Sequence, residues 1–209
     1  MGANGIETDV RRTEDGVLVL FHDKTPERVC GEGLTREISD YTWEELQELN
    51  VVKGELTDKI VRFEDFLAHF AWRDLTFAIE LKAEGIEAEV ADLIRKYGIV
   101  KKTVVTSFQI DYIRNIKAYA PEIRIGLLTK EITDEMVAEL VAMRADEYCP
   151  QAKYVTKEQV ERLHREGFRV RAWGVKDEEL MKHAVDCGCD GMTVNFPDKL
   201  VAYLAETHK

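Results

Sequence analysis

The stretch Gly5-Ile-Glu-Thr-Asp-Val10 decides how the rest of the sequence is interpreted. Its alternation is typical of a β-strand in which Ile6 and Val10 share one face. Glu7 and Asp9 then project side by side from the opposite face. Two neighbouring carboxylates repel each other, and burying them is costly unless a cation lies between them. The stretch therefore indicates a strand that carries a divalent-metal site.

The composition is that of one compact domain with a sizeable core, since 45% of the 209 residues are hydrophobic. The net charge of −11 makes nucleic acid or an anionic membrane surface an unfavourable partner. No apolar run approaches the roughly 20 residues of a membrane span, and no secretory leader is visible. The four cysteines lack metal-binding spacing and indicate free thiols in a reduced compartment, so we expect a cytoplasmic protein.

A rhythm of strands and helices runs from residue 76 to the C-terminus. Strand patterns recur near residues 77, 104, 124, 147, 169 and 192, with amphipathic helical patterns between them. Such alternation predicts parallel strands in a doubly wound sheet or a β/α barrel. The barrel is favoured because no glycine-rich phosphate loop follows a strand and polar residues recur at the strand ends. With residues 17–21 taken as an extension of the opening strand, the sequence supplies seven strands of the eight that a TIM barrel has.

Residues 24–59, which precede this rhythm, form a polar, irregular stretch. A capping box at Thr42 and Glu45 predicts one short helix within it. We interpret the stretch as an insertion in a single barrel domain that spans residues 1–209.

Strand alternation brings further charged side chains to the same barrel mouth. In the strand at residues 76–82, the apolar positions must face the helices, so Glu80 and Lys82 point inward. In a later strand, the same reasoning points Arg171 and Trp173 inward. The mouth is thus expected to combine carboxylates, cations and an aromatic ring.

Two interpretations of the inward charges stay open. Glu7, Asp9 and Glu80 form an oxygen-rich set on two neighbouring strands, and this set suits Mg²⁺ or Ca²⁺. The alternative is an internal network in which Lys82 or Arg171 neutralises the carboxylates and merely fills the barrel.

His22 is the candidate for proton transfer, because it follows an apolar run where a strand would emerge at the barrel rim. Histidine is the side chain that most readily exchanges a proton near neutral pH. The alternative is a surface histidine that only hydrogen-bonds Asp23. The other histidines lie in amphipathic helical patterns or in the tail and receive no role: His69, His164, His183 and His208.

Several blocks follow one another in a fixed order from residue 2 to the C-terminus. They are Gly5-Ile-Glu-Thr-Asp-Val10, Thr13-Glu-Asp-Gly16-Val-Leu-Val-Leu-Phe-His-Asp23, Ile79-Glu80-Leu-Lys82, Thr106-Ser-Phe108, Ala172-Trp173 and Asp190-Gly-Met-Thr-Val-Asn-Phe-Pro-Asp198. Together they resemble the glycerophosphodiester phosphodiesterase family. The first block is highly specific, and the later ones are weaker but correctly spaced. The resemblance implies a TIM barrel with a small insertion after the second strand, which residues 24–59 match.

The resemblance also implies an activity and a cofactor. Members hydrolyse small-molecule glycerophosphodiesters to an alcohol and sn-glycerol 3-phosphate. Glu7, Asp9 and Glu80 would hold a divalent cation, usually Mg²⁺ or Ca²⁺.

Four more residues receive roles by the same resemblance. His22 would be one of two catalytic histidines, which activate the attacking group and protonate the departing alcohol. Lys82 would contact the phosphate. Phe108 and Trp173 would line the substrate pocket.

The opening unit of the family has no counterpart in this sequence. Members begin with a strand ending in His-Arg-Gly and a helix starting Pro-Glu-Asn-Thr, whereas this sequence begins inside what would be the second unit. That unit would carry the first barrel strand, the other catalytic histidine and an arginine on the phosphate.

Three hypotheses follow. One is a metal-dependent phosphodiesterase, and another is an impaired or inactive barrel that binds metal or glycerophosphate. The third is a phospholipase-type barrel acting on lysophospholipids or sphingolipids. In each case, the open barrel edges make a homo-oligomer possible.

Overall fold

Seven parallel strands curl into one sheet in the structure, a computed structural model that describes residues 2–207. The strands are β1 Gly5–Arg12, β2 Leu18–Leu20, β3 Val51–Lys53, β4 Leu56–Asp58, β5 Thr76–Leu81, β6 Thr103–Ser107, β7 Arg124–Thr129, β8 Glu147–Pro150, β9 Arg169–Ala172 and β10 Gly191–Met192. The helices are α1 Glu27–Cys30, α2 Trp43–Glu48, α3 Phe63–Phe70, α4 Glu87–Lys96, α5 Ile110–Tyr119, α6 Asp134–Ala142, α7 Lys157–Arg165, α8 Glu178–Asp186 and α9 Pro197–Thr207.

The large sheet has the order β10-β9-β8-β7-β6-β5-β1-β2. Every neighbouring pair is parallel except β1 and β2, and β3 pairs with β4 in a separate hairpin. From β5 onward, a helix separates each strand from the next, as right-handed crossovers require. The predicted class, a TIM-type α/β barrel with seven of eight parallel strands, is confirmed.

The alternation that was predicted for β5 is present. Phe77, Ile79 and Leu81 are buried in one core cluster together with the apolar residues of α4 and α5, which include Val90 and Ile113. The opposite face of β5 therefore points into the barrel, and this orientation sets the position of the site.

Side-chain caps fix the starts of three helices, α6, α7 and α8. Thr133, Thr156 and Asp177 each accept a hydrogen bond from a backbone N–H three residues further on. These bonds satisfy donors that the first helical turn leaves unpaired. No helix within residues 2–207 combines the length and the apolar character that a membrane crossing needs.

The expectation that residues 17–21 extend β1 was wrong, because they contain a separate strand, β2. Gly16 has a φ of 86°, which lets the chain reverse in a tight turn. β2 therefore returns antiparallel to β1, and the backbone N–H of Phe21 donates to the carbonyl of Asp9 at 3.0 Å. The reversal brings His22 back to the level of Asp9.

The stretch at residues 24–59 packs on β2 through a small apolar cluster of its own. Its buried members are Val19, Phe21, Ile38, Tyr41, Leu46 and Ile60. The predicted helix is α2, and its capping box is formed because Thr42 accepts from Glu45 N and the Glu45 carboxylate accepts from Thr42 N. The β3–β4 hairpin was not predicted, because both strands are largely exposed and lack apolar alternation.

One seam of the barrel is open within residues 2–207. β10 pairs only with β9, and the side of β1 away from β5 is paired only where it meets β2. A cavity of about 440 Å³ lies between these two edges, and its walls include Glu7, Met192, Val201 and Leu204. We call this region, the unpaired edges of β1 and β10 with the facing side of α9, the open seam.

Candidate active site

Three carboxylates meet at the mouth of the barrel because of the register between two strands. β1 pairs in parallel with β5 so that Asp9 lies opposite Glu80. Glu7 precedes Asp9 by two residues and shares its face. One carboxylate oxygen from each of Glu7, Asp9 and Glu80 lies within 4.8 Å of the others. The structure thus brings together the three acids that the alternation indicated.

Two oxygens of this group are buried without a hydrogen bond among the described residues, namely Asp9 Oδ1 and Glu80 Oε1. Lys82 Nζ lies 2.6 Å from Glu80 Oε1 and 3.4 Å from Asp9 Oδ1, so one ammonium is the cationic neighbour of both oxygens. A single ammonium beside three clustered carboxylates leaves an excess of negative charge there. Carboxylate oxygens are also the ligands that hard divalent cations prefer. The donor set therefore fits a divalent cation.

Two of the acids have raised pKa values, because the nearby cations only partly oppose the effect of burial. Burial raises the pKa of Glu7 to about 7, and the Asp9 charge adds to this effect while Arg171 and Lys82 oppose it. Burial likewise raises the pKa of Glu80 to about 7 against the opposing effect of Lys82. Close to neutral pH, these carboxyls would lose their protons more readily beside an added cation.

Arg171 binds a carboxylate that the sequence analysis missed. Its Nε donates to Glu147 Oε2 at 3.0 Å, and its Nη1 donates to Thr193 Oγ1 at 3.0 Å. Glu147 is buried at the start of β8, where the inward alternation of that strand would have revealed it. The alternative ion-pair network is therefore present only in part. Lys82 contacts two of the acids, while the ion pair of Arg171 is with Glu147.

An aromatic wall stands next to the carboxylates. The rings of Phe108 and Trp173 meet edge to face, with centroids 4.9 Å apart. Lys82 Nζ lies 5.5 Å from the centroid of Phe108, within cation–π range. The indole N–H of Trp173 donates to the carbonyl of Thr129 at 3.1 Å, which fixes the ring. Lys82 thus lies between the acids and a partly exposed aromatic pair.

His22 lies in the irregular segment after β2, and its side chain is 63% exposed. His22 Nδ1 is 2.6 Å from Asp23 Oδ1. The hydrogen bond from Arg28, followed by that from His22, lowers the pKa of Asp23 to about 2. An ionised Asp23 accepts a hydrogen bond from the Nδ1–H of His22 and leaves Nε2 as the free nitrogen. The same contact is expected for a surface histidine that only hydrogen-bonds Asp23, so it fits both interpretations of His22.

The remaining histidines lie away from the mouth or outside the described residues. His69, His164 and His183 lie in α3, α7 and α8, as expected from their helical patterns. His164 Nε2 contacts Asp190 Oδ2 at 2.9 Å. His208 lies outside the described residues.

Arg11 is a further residue of the mouth that sequence analysis did not single out. Its guanidinium donates to the carbonyl of His22 from Nη2 at 2.9 Å and to the carbonyl of Lys82 from Nη1 at 3.0 Å. Because Arg11 shares the strand parity of Glu7 and Asp9, the same alternation could have revealed it.

Comparisons with known proteins assign the chain to the phosphodiesterases built on TIM barrels. The profile of the glycerophosphoryl diester phosphodiesterase family matches residues 1–199. A glycerophosphodiester phosphodiesterase of Caldanaerobacter subterraneus subsp. tengcongensis is 30% identical over 211 residues, which cover 96% of this chain and 86% of the relative. A glycerophosphodiester phosphodiesterase of Bacillus altitudinis is 30% identical over 218 residues, with coverage of 96% and 86%.

A solved structure agrees with this fold. It is an Oleispira antarctica phosphodiesterase in complex with the product sn-glycerol-3-phosphate, with a TM-score of 0.83 at 22% identity and coverage of 98% of this chain and 86% of that one. The chain belongs to the glycerophosphoryl diester phosphodiesterase family. The predicted enzyme class, a phosphoric diester hydrolase, is confirmed.

Proposed function

We propose that this chain hydrolyses glycerophosphodiesters to an alcohol and sn-glycerol 3-phosphate with the help of a divalent cation. The observation that carries the proposal is the cluster of three buried or half-buried carboxylates, Glu7, Asp9 and Glu80, which have only Lys82 as a close cationic neighbour among the described residues. The names of the relatives and the product bound to the Oleispira antarctica enzyme support the substrate class.

Glu7, Asp9 and Glu80 would hold the cation, and their all-oxygen donor set favours Mg²⁺ or Ca²⁺. When bound, the cation would polarise the phosphodiester and offset the negative charge that develops on its oxygens. Lys82 supplies a second positive charge to a phosphate oxygen. Its ammonium already lies at the edge of the acidic cluster, so it needs only a change of side-chain rotamer.

Phe108 and Trp173 bind the carbon skeleton of the glycerol unit. Their edge-to-face contact forms an apolar wall beside Lys82, and Phe108 is 39% exposed. A phosphodiester that contacts Lys82 would present its neighbouring carbons to this wall.

His22 is the residue that transfers a proton during hydrolysis. Asp23 accepts the hydrogen bond from Nδ1, so Nε2 is the atom that takes a proton from the attacking hydroxyl or water, or gives one to the departing alcohol. His22 is exposed at the mouth, which leaves Nε2 accessible to a substrate.

A hydrolysis assay tests this proposal. The purified chain is incubated with glycerophosphocholine and with glycerophosphoethanolamine in Mg²⁺, in Ca²⁺ and in EDTA, and released sn-glycerol 3-phosphate is measured. We expect turnover that requires a cation and that falls at least 100-fold in Glu80→Gln, as expected for a lost ligand. Glu84→Gln is the matched control, because Glu84 is an exposed carboxylate in the loop after β5. Equal turnover in EDTA and in Mg²⁺ would contradict the cation requirement.

A second candidate function is a barrel that binds metal or glycerophosphate without turnover. The open seam favours it, because a mouth bounded by unpaired strands holds its groups less rigidly than a closed barrel. Release of sn-glycerol 3-phosphate that is lost in His22→Ala would exclude this candidate. Calorimetric binding of Ca²⁺ without any release would support it.

The proposal extends to partners and location. We propose that two copies associate through the open seam, since unpaired strand edges are templates for pairing. The face of α9 beside the seam carries Val201, which is 44% exposed. The four free thiols are consistent with a reduced compartment, where we propose that the protein works.

A further inference from the structure

One guanidinium joins two segments of the mouth. Arg11 lies near the end of β1 and is half-buried. Toward the segment after β2, its Nη2 and Nε donate to the carbonyl of His22 at 2.9 and 3.3 Å. Toward the end of β5, its Nη1 donates to the carbonyl of Lys82 at 3.0 Å. A single side chain therefore contacts the backbone of His22, the proposed proton-transfer residue, and the backbone of Lys82, the proposed phosphate contact.

The segment that carries His22 has few other attachments. The backbone N–H of Phe21 donates to Asp9, and the carbonyl of Lys24 accepts from Ile38. Between these two points, Arg11 holds the His22 carbonyl, and Arg28 Nε donates to the carboxylate of Asp23. Because the histidine side chain is 63% exposed, neighbouring side chains pack little against it. Its position thus depends on the hydrogen bonds at its own backbone and at Nδ1.

The guanidinium group suits this task for a geometric reason. It is planar, and its five N–H donors point outward in a fixed fork, so it can bind two separate acceptors at once. A lysine would bring the same charge as a compact ammonium on a flexible chain. It could bind either carbonyl, but it would not fix the distance between them.

We infer that Arg11 is a positioning residue that sets the distance between His22 and Lys82 across the mouth. The proton-transfer group and the phosphate contact then reach the same phosphodiester. The inference rests on the proposed function of these two residues. A displacement of about 1 Å in such a group costs on the order of 100-fold in rate.

Arg12 provides a matched control from the same strand. Its Nη1 and Nη2 donate to the carbonyls of Gly85 and Glu84 at 3.1 and 3.2 Å. It is therefore an arginine at the next position, also bound to two backbone carbonyls of the loop after β5. It contacts neither His22 nor Lys82, so it has no part in the proposed chemistry.

A double-mutant cycle with His22 measures the coupling in kcat. We expect Arg11→Met to lower kcat roughly 10–100-fold and Arg12→Met to stay within about threefold of the parent chain. Arg11→Lys should recover only part of the loss. In a His22→Ala background, Arg11→Met should cost clearly less than in the parent chain, because only the contact of Arg11 with Lys82 is then left to act on the reaction. Additive losses, or equal losses in both arginine variants, would overturn the inference.

A second measurement does not depend on turnover. The ring C–H signal of His22 can be assigned in an NMR spectrum by its loss in His22→Ala. We expect this signal to shift and broaden in Arg11→Met, as the segment exchanges between positions in microseconds to milliseconds, and to stay unchanged in Arg12→Met. An unchanged signal in Arg11→Met overturns the inference. If the signal responds as expected but the parent chain releases no product, the proposed function fails and the positioning role stands.

Discussion

Lys82 and a bound cation would share the same two oxygens. The ammonium of Lys82 lies 2.6 Å from Glu80 Oε1 and 3.4 Å from Asp9 Oδ1, and both oxygens belong to the candidate ligand set. A divalent cation at these oxygens would repel the ammonium. Binding of the cation would therefore release Lys82 toward the substrate phosphate, and Lys82 would compete with the cation.

Removal of this ammonium should strengthen metal binding while it weakens catalysis. We expect Lys82→Met to bind Ca²⁺ about 10-fold more tightly by calorimetry, since relief of roughly 1.4 kcal/mol of competition gives that factor. The same variant should hydrolyse glycerophosphodiesters more slowly. Arg12→Met removes one positive charge from the same rim without touching the acids, so its Ca²⁺ affinity should change far less. Weaker Ca²⁺ binding in Lys82→Met would contradict the competition.

The raised pKa values of Glu7 and Glu80 predict how the stability of the fold changes with pH. Both rise from 4.5 to about 7 in the fold, so ionisation of these carboxyls opposes folding. This loss of stability is absent below pH 4.5, grows as the pH rises, and is complete above about pH 7. We expect the Tm in EDTA to fall by several degrees between pH 5 and pH 8, since one pKa unit corresponds to about 1.4 kcal/mol.

Glu7→Gln should flatten that fall, because a glutamine has no carboxyl to ionise. Saturating Ca²⁺ should also reduce it, since the cation binds the ionised acids. Thermal unfolding at four pH values with and without Ca²⁺ checks both effects. Glu84→Gln should show the same fall in Tm as the parent chain. A flattened curve in this control would show that the fall does not come from Glu7 and Glu80.

At the level of the strands, side-chain alternation predicted more of the site than any other signal. It brought Glu7, Asp9 and Glu80 to one face, because a buried outer face leaves only one orientation for a strand. The same rule applies to two residues that the sequence analysis missed, Arg11 near the end of β1 and Glu147 at the start of β8. These two residues complete the mouth and the interior of the barrel.

Other features could not be derived from alternation. The apolar run at residues 17–21 shows a buried strand but carries no information about direction, which the turn at Gly16 decides. The β3–β4 hairpin is exposed and held by local backbone bonds, so it leaves no apolar pattern. The assignment of residues 24–59 to the same domain stays a prediction.

The close approach of β7 to β8 depends on Gly126. A Cβ at Gly126 would lie 2.9 Å from Glu147 Cβ and 3.2 Å from the Glu147 carbonyl, so Gly126→Ala must push the two strands apart. We expect a loss of about 1–3 kcal/mol in the free energy of unfolding, measured in urea. Gly191→Ala in β10 is the control, because its nearest neighbour would be Arg171 Cγ at an ordinary 3.7 Å. Equal losses in the two variants would contradict the steric explanation.

At the scale of the whole molecule, the open seam is the feature that a closed barrel would lack. β1 and β10 each have an unpaired edge within residues 2–207, and the apolar face of α9 lies beside them. Association through these edges would supply backbone partners and would cover apolar surface in one step.

Light scattering can measure this association. We expect the chain to be at least dimeric at micromolar concentration and to shift toward the monomer in Val201→Lys, which adds a charge to the seam. Val141→Lys is the control, because Val141 is equally exposed, at 44%, on α6, away from the residues that line the seam. A parent chain that stays monomeric at high concentration would contradict association through the seam.

The position of β1 in the sheet also sets a gradient of local opening. β6 and β7 each have a paired strand on both sides, whereas the first half of β1 is held on one side only, by β5. Amide hydrogens of β1 can therefore exchange with solvent through a partial opening that leaves β6 and β7 intact. Glu7 and Asp9 lie on this weakly held strand and Glu80 on its neighbour, so a cation bound by all three would cross-link the two. Amide exchange at β1 would then slow as the cation binds, and the strand would report the occupancy of the site directly.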